Sequence, residues 1–314
     1  QGGTSFLYTY PIMNYEKTAL SYTEIILQLK SRGLRFQNES HALQELKSIS
    51  YFRIASYLKY YETDTNNHKY KDGSYFEDAL YHYYFDKELR CLLFEATQAI
   101  EISFRSKIIH HISLKHSGFW ILDKSLCKCP KLHLDNLQTI ERELKRSKED
   151  FILEYYNKYD FPHIPPCWKT LEVTSFGTIS KLYLNLNDSK VKKLIARELS
   201  LPQHEVLESW IKAIVLIRNY VAHHSRIWNR RFSFSPKLHA LKLQGKWIKE
   251  LSHNKSKLYN LLCCIIYLLD NIQPNNNFRT KLNQLLTKYD KINLYSMGFP
   301  NKWKEEDLWI GTNN

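Results

Sequence analysis

From Ser74 to about His111 the chain runs without a glycine or a proline, and that uninterrupted stretch limits the folds open to it. Those two residues are the usual punctuation of turns and strand ends. Apolar residues recur through it at Leu80, Tyr83, Tyr84, Leu89, Leu92, Leu93, Ala96, Ile100, Phe104 and Ile108, a helical spacing with faces broad enough for the centre of a bundle. Ser74, with Glu77 three residues on, reads as a capping box at its start. The chain holds only nine Gly and nine Pro in 314 residues. That is too few for the tight turns of a sheet protein, so the fold expected is all-α.

Three regions are expected: a helical region over 1–73, a helical core over 74–272 carrying the chemistry, and a peripheral helical tail over 273–314. In the first, Thr23 is placed to cap a helix that stops at Gly33. A second helical run leads through Ala42, Leu43, Leu46 and Ile49 into Tyr51, Phe52, Ile54, Tyr57 and Leu58, and residues 63–73 form a polar connector. In the core, Asp135 is expected to cap a charged helix running toward Tyr156, and the prolines of 161–166 break it. Ser175 to Gly177 mark a turn, Asp188 caps a short basic helix, and a further helix is expected from about Trp247 to Leu269. Gln1, Gly2 and Gly3 read as a remnant of protease cleavage and are set aside.

A formal net charge of +13 points to an acidic partner, nucleic acid before an anionic membrane surface. No apolar run approaches the roughly 20 residues of a spanning helix, and no signal-peptide pattern opens the chain. The expectation is therefore a cytoplasmic protein with no membrane partner. Cys91, Cys263 and Cys264 sit in apolar helical runs and read as small hydrophobes. Cys127 and Cys129 are spaced more tightly than zinc ligands usually are, so neither they nor His133 and Cys167 are assigned to a metal. No cofactor is expected either, since the chain lacks a Gly-rich phosphate loop.

The residue types needed for chemistry on a phosphate crowd into one place, IKAIVLIRNYVAHHSRIWNR at 211–230. Val206, Leu207, Trp210, Ala213, Ile214, Leu216 and Ile217 make the preceding helix a core element, and Arg218, Asn219, His223, His224 and Arg226 emerge from its C-terminal part. Cleaving RNA without a metal requires a group to move a proton at the 2′-hydroxyl or the leaving 5′-oxygen. It also requires a cation against the charge growing on phosphorus. An imidazole suits the first task, and a guanidinium, with its planar fork, the second. Positions five apart on a helix stand about 140° from each other, so Arg218 and His223 do not share a face. A site needing both is easier to build where the helix ends or where two copies meet, and a homodimer is expected.

Glu101 and Arg105 form an i,i+4 pair on a polar stripe of the long helix that also carries Glu95 and Gln98. The stripe reads either as a structural ion pair or as support for the arginine of the site.

Four stretches together resemble the Abi-like (abortive-infection) family of bacterial phage-defence proteins: SYFRIASYLKYYE at 50–62, LLFEATQAIEISFRSKII at 92–109, PPCWKTLEVTSFGTISKLY at 165–183 and SWIKAIVLIRNYVAHHSRIWNR at 209–230. The likeness covers residues from about 20 to 235, and the family is similar to the HEPN superfamily of α-helical ribonucleases. The resemblance implies a HEPN-like helical bundle with an N-terminal helical extension and C-terminal helices. It also implies a metal-independent endoribonuclease that dimerises around an Arg-x4-6-His motif and leaves a 2′,3′-cyclic phosphate. The motif falls on Arg218, Asn219 and His223, while Glu101 and Arg105 match the family's Glu-Ile-x-x-Arg pattern. On this reading His223 moves the proton, Arg218 holds the scissile phosphate and Asn219 orients it. His224, Arg226, Arg230 and Arg231 hold flanking RNA backbone, and Trp228 stacks a base. The family further suggests a toxin restrained by a partner, in some systems a small structured RNA. A non-catalytic RNA-binding module is the alternative.

Overall fold

The structure is a computed structural model and describes residues 14, 18–238, 243 and 245–310; Gln1 to Gly3, expected to be a remnant of protease cleavage, lie outside these. Helices dominate, and the sole sheet among the described residues is a two-stranded hairpin. The protein is all-α, as its shortage of Gly and Pro requires. It divides into two compact units, residues 1–83 and 84–314.

The first unit opens with α1 (Tyr22–Ser31), capped by Ser21 rather than Thr23. The Ser21 hydroxyl accepts the Glu24 N–H while the Glu24 carboxylate takes the Ser21 N–H at 2.7 Å, so two otherwise orphaned donors are satisfied reciprocally. Gly33, at φ +91°, makes the left-handed exit, which a residue with a Cβ adopts only at a cost. The expected second run is two helices, α2 (Glu39–Ser48) and α3 (Tyr51–Leu58), parted at Ile49 and Ser50. Ile54, Tyr57 and Leu58 are buried, three and four residues apart, whereas Phe52 on the other side is 82% exposed.

The polar connector is a hairpin of β1 (Glu62–Asp64) and β2 (Lys69–Tyr70). Its turn forms because the Asp64 carboxylate accepts the N–H groups of Asn66 and Asn67, as Asp does in turns. The expected Ser74–Glu77 capping box is absent. Asp78 takes the Tyr75 N–H instead, and Glu77 accepts from the backbone of Gln37 and Asn38.

Helix α4 (Phe76–Lys115) starts in the first unit and crosses into the second, four residues beyond its expected end at His111. From Tyr84 on it is the spine of the second unit. Phe85, Leu89, Leu93, Ala96, Ile100, Phe104, Ile108 and Ile112 recur every three or four residues, and none is more than 3% exposed. A stripe of this kind forms a continuous packing face.

After α4 come α5 (Pro130–Arg146) and α6 (Asp150–Lys158), two helices where one was expected. Helix α5 begins at Pro130, not Asp135, because proline is preorganised for the first helical position and Asn185 holds the Cys129 backbone N–H and C=O through both ends of its amide. A single turn, α7 (Cys167–Thr170), precedes α8 (Phe176–Asn185). Ser175 caps α8, so the residues expected to form a turn open a helix. Asp188 caps α9 (Ser189–Glu198) as expected, accepting the N–H groups of Lys190 and Val191.

The central helix α10 (His204–Ala222) packs against α8, α9 and α11 (Leu258–Ile272). Helix α11 starts eleven residues later than the sequence pattern placed it, since Trp247 lies in an irregular segment and stacks on Trp210 at 5.5 Å. Helices α12 (Phe278–Lys288) and α13 (Asp307–Ile310) end the chain. The tail is not peripheral. Tyr259 of α11, Phe299, Trp303 and Trp309 form one aromatic cluster with ring separations of 4.8–5.8 Å, and all four rings are buried. Of the cysteines read as core, Cys263 and Cys264 are buried, but Cys91 is exposed. Among the described residues no helix is long and apolar enough to cross a membrane.

Candidate active site

The buried face of α10 (Val206, Leu207, Trp210, Ile211, Ala213, Ile214, Ile217 and Val221) fixes the direction in which its polar residues leave the core. The helix ends in a Schellman motif: the His224 N–H donates to the Val221 carbonyl at 3.1 Å and the Ser225 N–H to the Tyr220 carbonyl at 2.8 Å. His223 is the C-cap and is exposed, while His224 takes the left-handed position at φ +54°. Glycine usually fills that position, and histidine is among the few other residues enriched there.

Arg218 stands just over one turn before this end. Its Nε donates to Oε2 of Glu101 on α4 at 3.1 Å, and Oε1 of the same carboxylate accepts from Nη2 of Arg105 at 2.9 Å. Glu101 is thus a buried bridge between two guanidinium groups. Arg105 is held further by the backbone carbonyls of Glu172 and Thr174, which lie between α7 and α8. Arg218 makes no second side-chain hydrogen bond among the described residues, and its side chain is 31% exposed. Its outer nitrogens therefore border a cleft of about 230 Å³ lined by Phe94, Gln98, Glu101, Ile102, Arg105 and Arg218.

Residues 44–229 match the model of the Abi-like protein family. The chain belongs to that family. No curated protein and no solved structure matches it. The matched segment of this Abi-like protein includes the whole of the Glu101–Arg105–Arg218 cluster and the helix end that carries Asn219, His223 and His224.

The polar stripe of α4 is therefore split in two. Gln98, Glu101 and Arg105 line the Arg218 cleft, whereas Glu95 pairs with Lys281 of α12. Asn219 and His223 are exposed one turn apart, and they stand about 100° and about 140° round the helix axis from Arg218. Within one chain Arg218 and His223 leave α10 in different directions.

The loop after α10 carries the residues expected to hold RNA backbone. The guanidinium of Arg230 lies 4.2 Å from the centre of the Tyr220 ring and that of Arg226 lies 6.0 Å from the Trp228 ring. Arg231 is exposed. Burial, and then the charges of Arg231 and Arg226, depress the titration of the Lys257 ammonium, so three like charges share this edge. Trp228 departs from expectation. It is fully buried, because Asp86 of α4 accepts the backbone N–H groups of Ile227 and Trp228 and draws the chain inward. Its ring has no face open for a base to stack on.

Asp86 went unnoticed in the sequence. It is completely buried and also pairs with Arg90 one turn on. An opposite-charge i,i+4 pair inside an apolar stretch was the available signal, since a dry ion pair is kept only with good geometry and further hydrogen bonds.

Proposed function

We propose that this Abi-like protein is a HEPN-type endoribonuclease that needs no metal and acts as a toxin in abortive-infection defence against phage, restrained by a cognate RNA or protein. The observation that carries this reading is the Glu101–Arg218 pair. A carboxylate fixes the guanidinium through Nε and leaves the outer edge of the fork turned to solvent, ready for two phosphate oxygens. A guanidinium held in advance stabilises the charge of a phosphorane without reorganising during the reaction.

In this mechanism His223 takes the proton of a ribose 2′-hydroxyl and the 2′-oxygen attacks phosphorus. The bond to the 5′-oxygen breaks, that oxygen takes a proton from solvent while His223 returns its own to solvent, and a 2′,3′-cyclic phosphate and a free 5′-hydroxyl result. Asn219, exposed one turn before His223, orients the phosphate. The divergence of Arg218 and His223 in one chain supports a composite site in a homodimer, each copy completing the other's. Arg226, Arg230, Arg231 and His224 contact flanking backbone.

The test is cleavage of RNA in EDTA by the wild type and by His223→Ala and Arg218→Ala. Loss of a well-placed proton-transfer group lowers the rate by about 10²–10⁴-fold, and the product carries the cyclic phosphate. Retarded but intact RNA in both the wild type and the variants would indicate a binding module without catalysis.

A further inference from the structure

The cleft beside Arg218 has a second character besides charge. Phe94, Gln98 and Ile102 follow one another at steps of four along α4, so they stand in one row about 6 Å apart, and Glu101 and Arg105 on the adjoining row line the same cleft. Phe94 is 45% exposed and Ile102 57%, and Gln98 between them is exposed. Two large apolar side chains facing water on either side of an amide call for an occupant with an apolar face and a hydrogen-bonding edge. The occupant must also suit a cation, because Arg218 opens into the same space, and it must be small. At about 230 Å³ the cleft falls below the roughly 300–1,000 Å³ of sites for drug-sized ligands. An unpaired nucleotide meets all three requirements.

We propose that this cleft is a nucleobase subsite in which an unpaired RNA base stacks on Phe94, packs against Ile102 and is read along its edge by the Gln98 amide, while Arg218 holds an adjoining phosphate. The proposal rests on the ribonucleolytic reading for its ligand. Glutamine both donates and accepts hydrogen bonds, so it discriminates among base edges, whereas phenylalanine accepts any base. With Trp228 buried, Phe94 is the exposed ring beside the motif arginine. Glu101 links the two tasks: it anchors the arginine from the very helix that presents the stacking ring. The base and its phosphate are thus held by one rigid element.

The test measures binding in a His223→Ala background, so that substrate survives whichever way the catalytic reading falls. Fluorescence anisotropy compares a short unpaired RNA with a ribose-phosphate oligomer of the same length lacking bases. Phe94→Ala is expected to weaken the intact RNA roughly 5- to 100-fold and the abasic oligomer hardly at all, and Phe94→Trp to restore binding. Phe94→Leu, which keeps apolar bulk on the helix, must also weaken the intact RNA, and Gln98→Ala must change the ranking of the four homopolymers. Unchanged affinity in Phe94→Ala and Phe94→Leu overturns the subsite. So does equal loss on the abasic oligomer, or a change of elution volume without a change of RNA affinity, which would make this face a contact between protein chains. Cleavage by the wild type together with Phe94-independent binding removes the subsite alone. Phe94-dependent binding without cleavage removes the nuclease alone, and an absence of RNA binding overturns both.

Discussion

Glu101 holds Arg218 through one carboxylate oxygen at 3.1 Å and Arg105 through the other at 2.9 Å. Each guanidinium takes its own oxygen of that one carboxylate. The carboxylate sets the position of the motif guanidinium from a helix remote in sequence, 117 residues away.

Replacing Glu101 by Gln keeps the shape and removes the charge between two cations. Loss of one partner of a buried ion pair costs about 3–5 kcal/mol, and the partial exposure of Arg218 puts this case at the lower end. Thermal unfolding is expected to show a clear loss of stability. RNA cleavage by the folded variant should fall as well, with Glu101→Asp recovering part of it. A variant as stable and as active as the wild type would refute the positioning role.

Asp86 ties the loop after α10 to α4, so Asp86→Asn should free that loop selectively. Amide hydrogen exchange at Ile227 and Trp228 is expected to accelerate, while amides in the middle of α10 stay protected. Loss of the charge from the buried Asp86–Arg90 pair adds a loss of stability read from urea midpoints. Uniform acceleration through α10 would show that Asp86 supports the helix itself.

His224 combines a strained backbone with a proposed phosphate contact, and substitution separates them. A left-handed backbone costs an L-residue other than glycine about 1–2 kcal/mol, more for a β-branched one. His224→Gly is expected to exceed His224→Val in stability by at least that amount, read from urea midpoints. Both should bind RNA more weakly yet still cut it, unlike His223→Ala. If His224→Gly abolishes cleavage with binding intact, the catalytic role belongs to His224.

Asp188 and the buried Lys192 each make stability rise with pH, in two separate windows. Burial pushes the Asp188 carboxyl up, but hydrogen bonds from Lys115, the Val191 N–H and His116 outweigh it and hold it at about 2. The folded value is below the unfolded one of about 3.9. Its stabilisation is therefore complete above about pH 4 and is lost as pH falls from there toward 2. Lys192 is depressed to about 8 by burial, against the pull of Glu208. Between about pH 8 and the unfolded value near ~10.4 the unfolded chain keeps a proton that the folded chain has shed, so stability rises with pH. Urea midpoints at pH 7.5 and 9.5 are expected to show this rise in the wild type and a flatter response in Lys192→Met.

The sequence pattern reached α4, α9 and α10 because each has local causes: an unbroken apolar stripe, the Asp188 cap, and a core run ending where polar residues gather. It misplaced the starts of α5 and α11 because those depend on distant partners, the Asn185 amide and the stacking of Trp247 on Trp210. Glu77 satisfies the spacing of a capping box yet serves Gln37 and Asn38, since two backbone donors across the turn compete for it. Glu101 and Arg105 were legible as a pair, but their contact with Arg218 was not, because nothing local encodes a bridge spanning more than a hundred residues. Trp228 misled for the same reason. Its burial follows from Asp86, and composition alone makes an aromatic beside arginines look like a stacking platform.

The segment beyond His224 is stitched at several points: Ile227 and Trp228 to Asp86, Asn229 to Lys257, and the Phe232 N–H to the Ser256 carbonyl at 2.8 Å. Its arginines thus sit on a preset edge rather than a floppy arm. A polyanion landing there has little chain to order, which lowers the entropic penalty of association. On the proposed RNA-binding reading, selectivity between strands comes from how well their own shape matches that edge, since the protein has little freedom to mould itself to each.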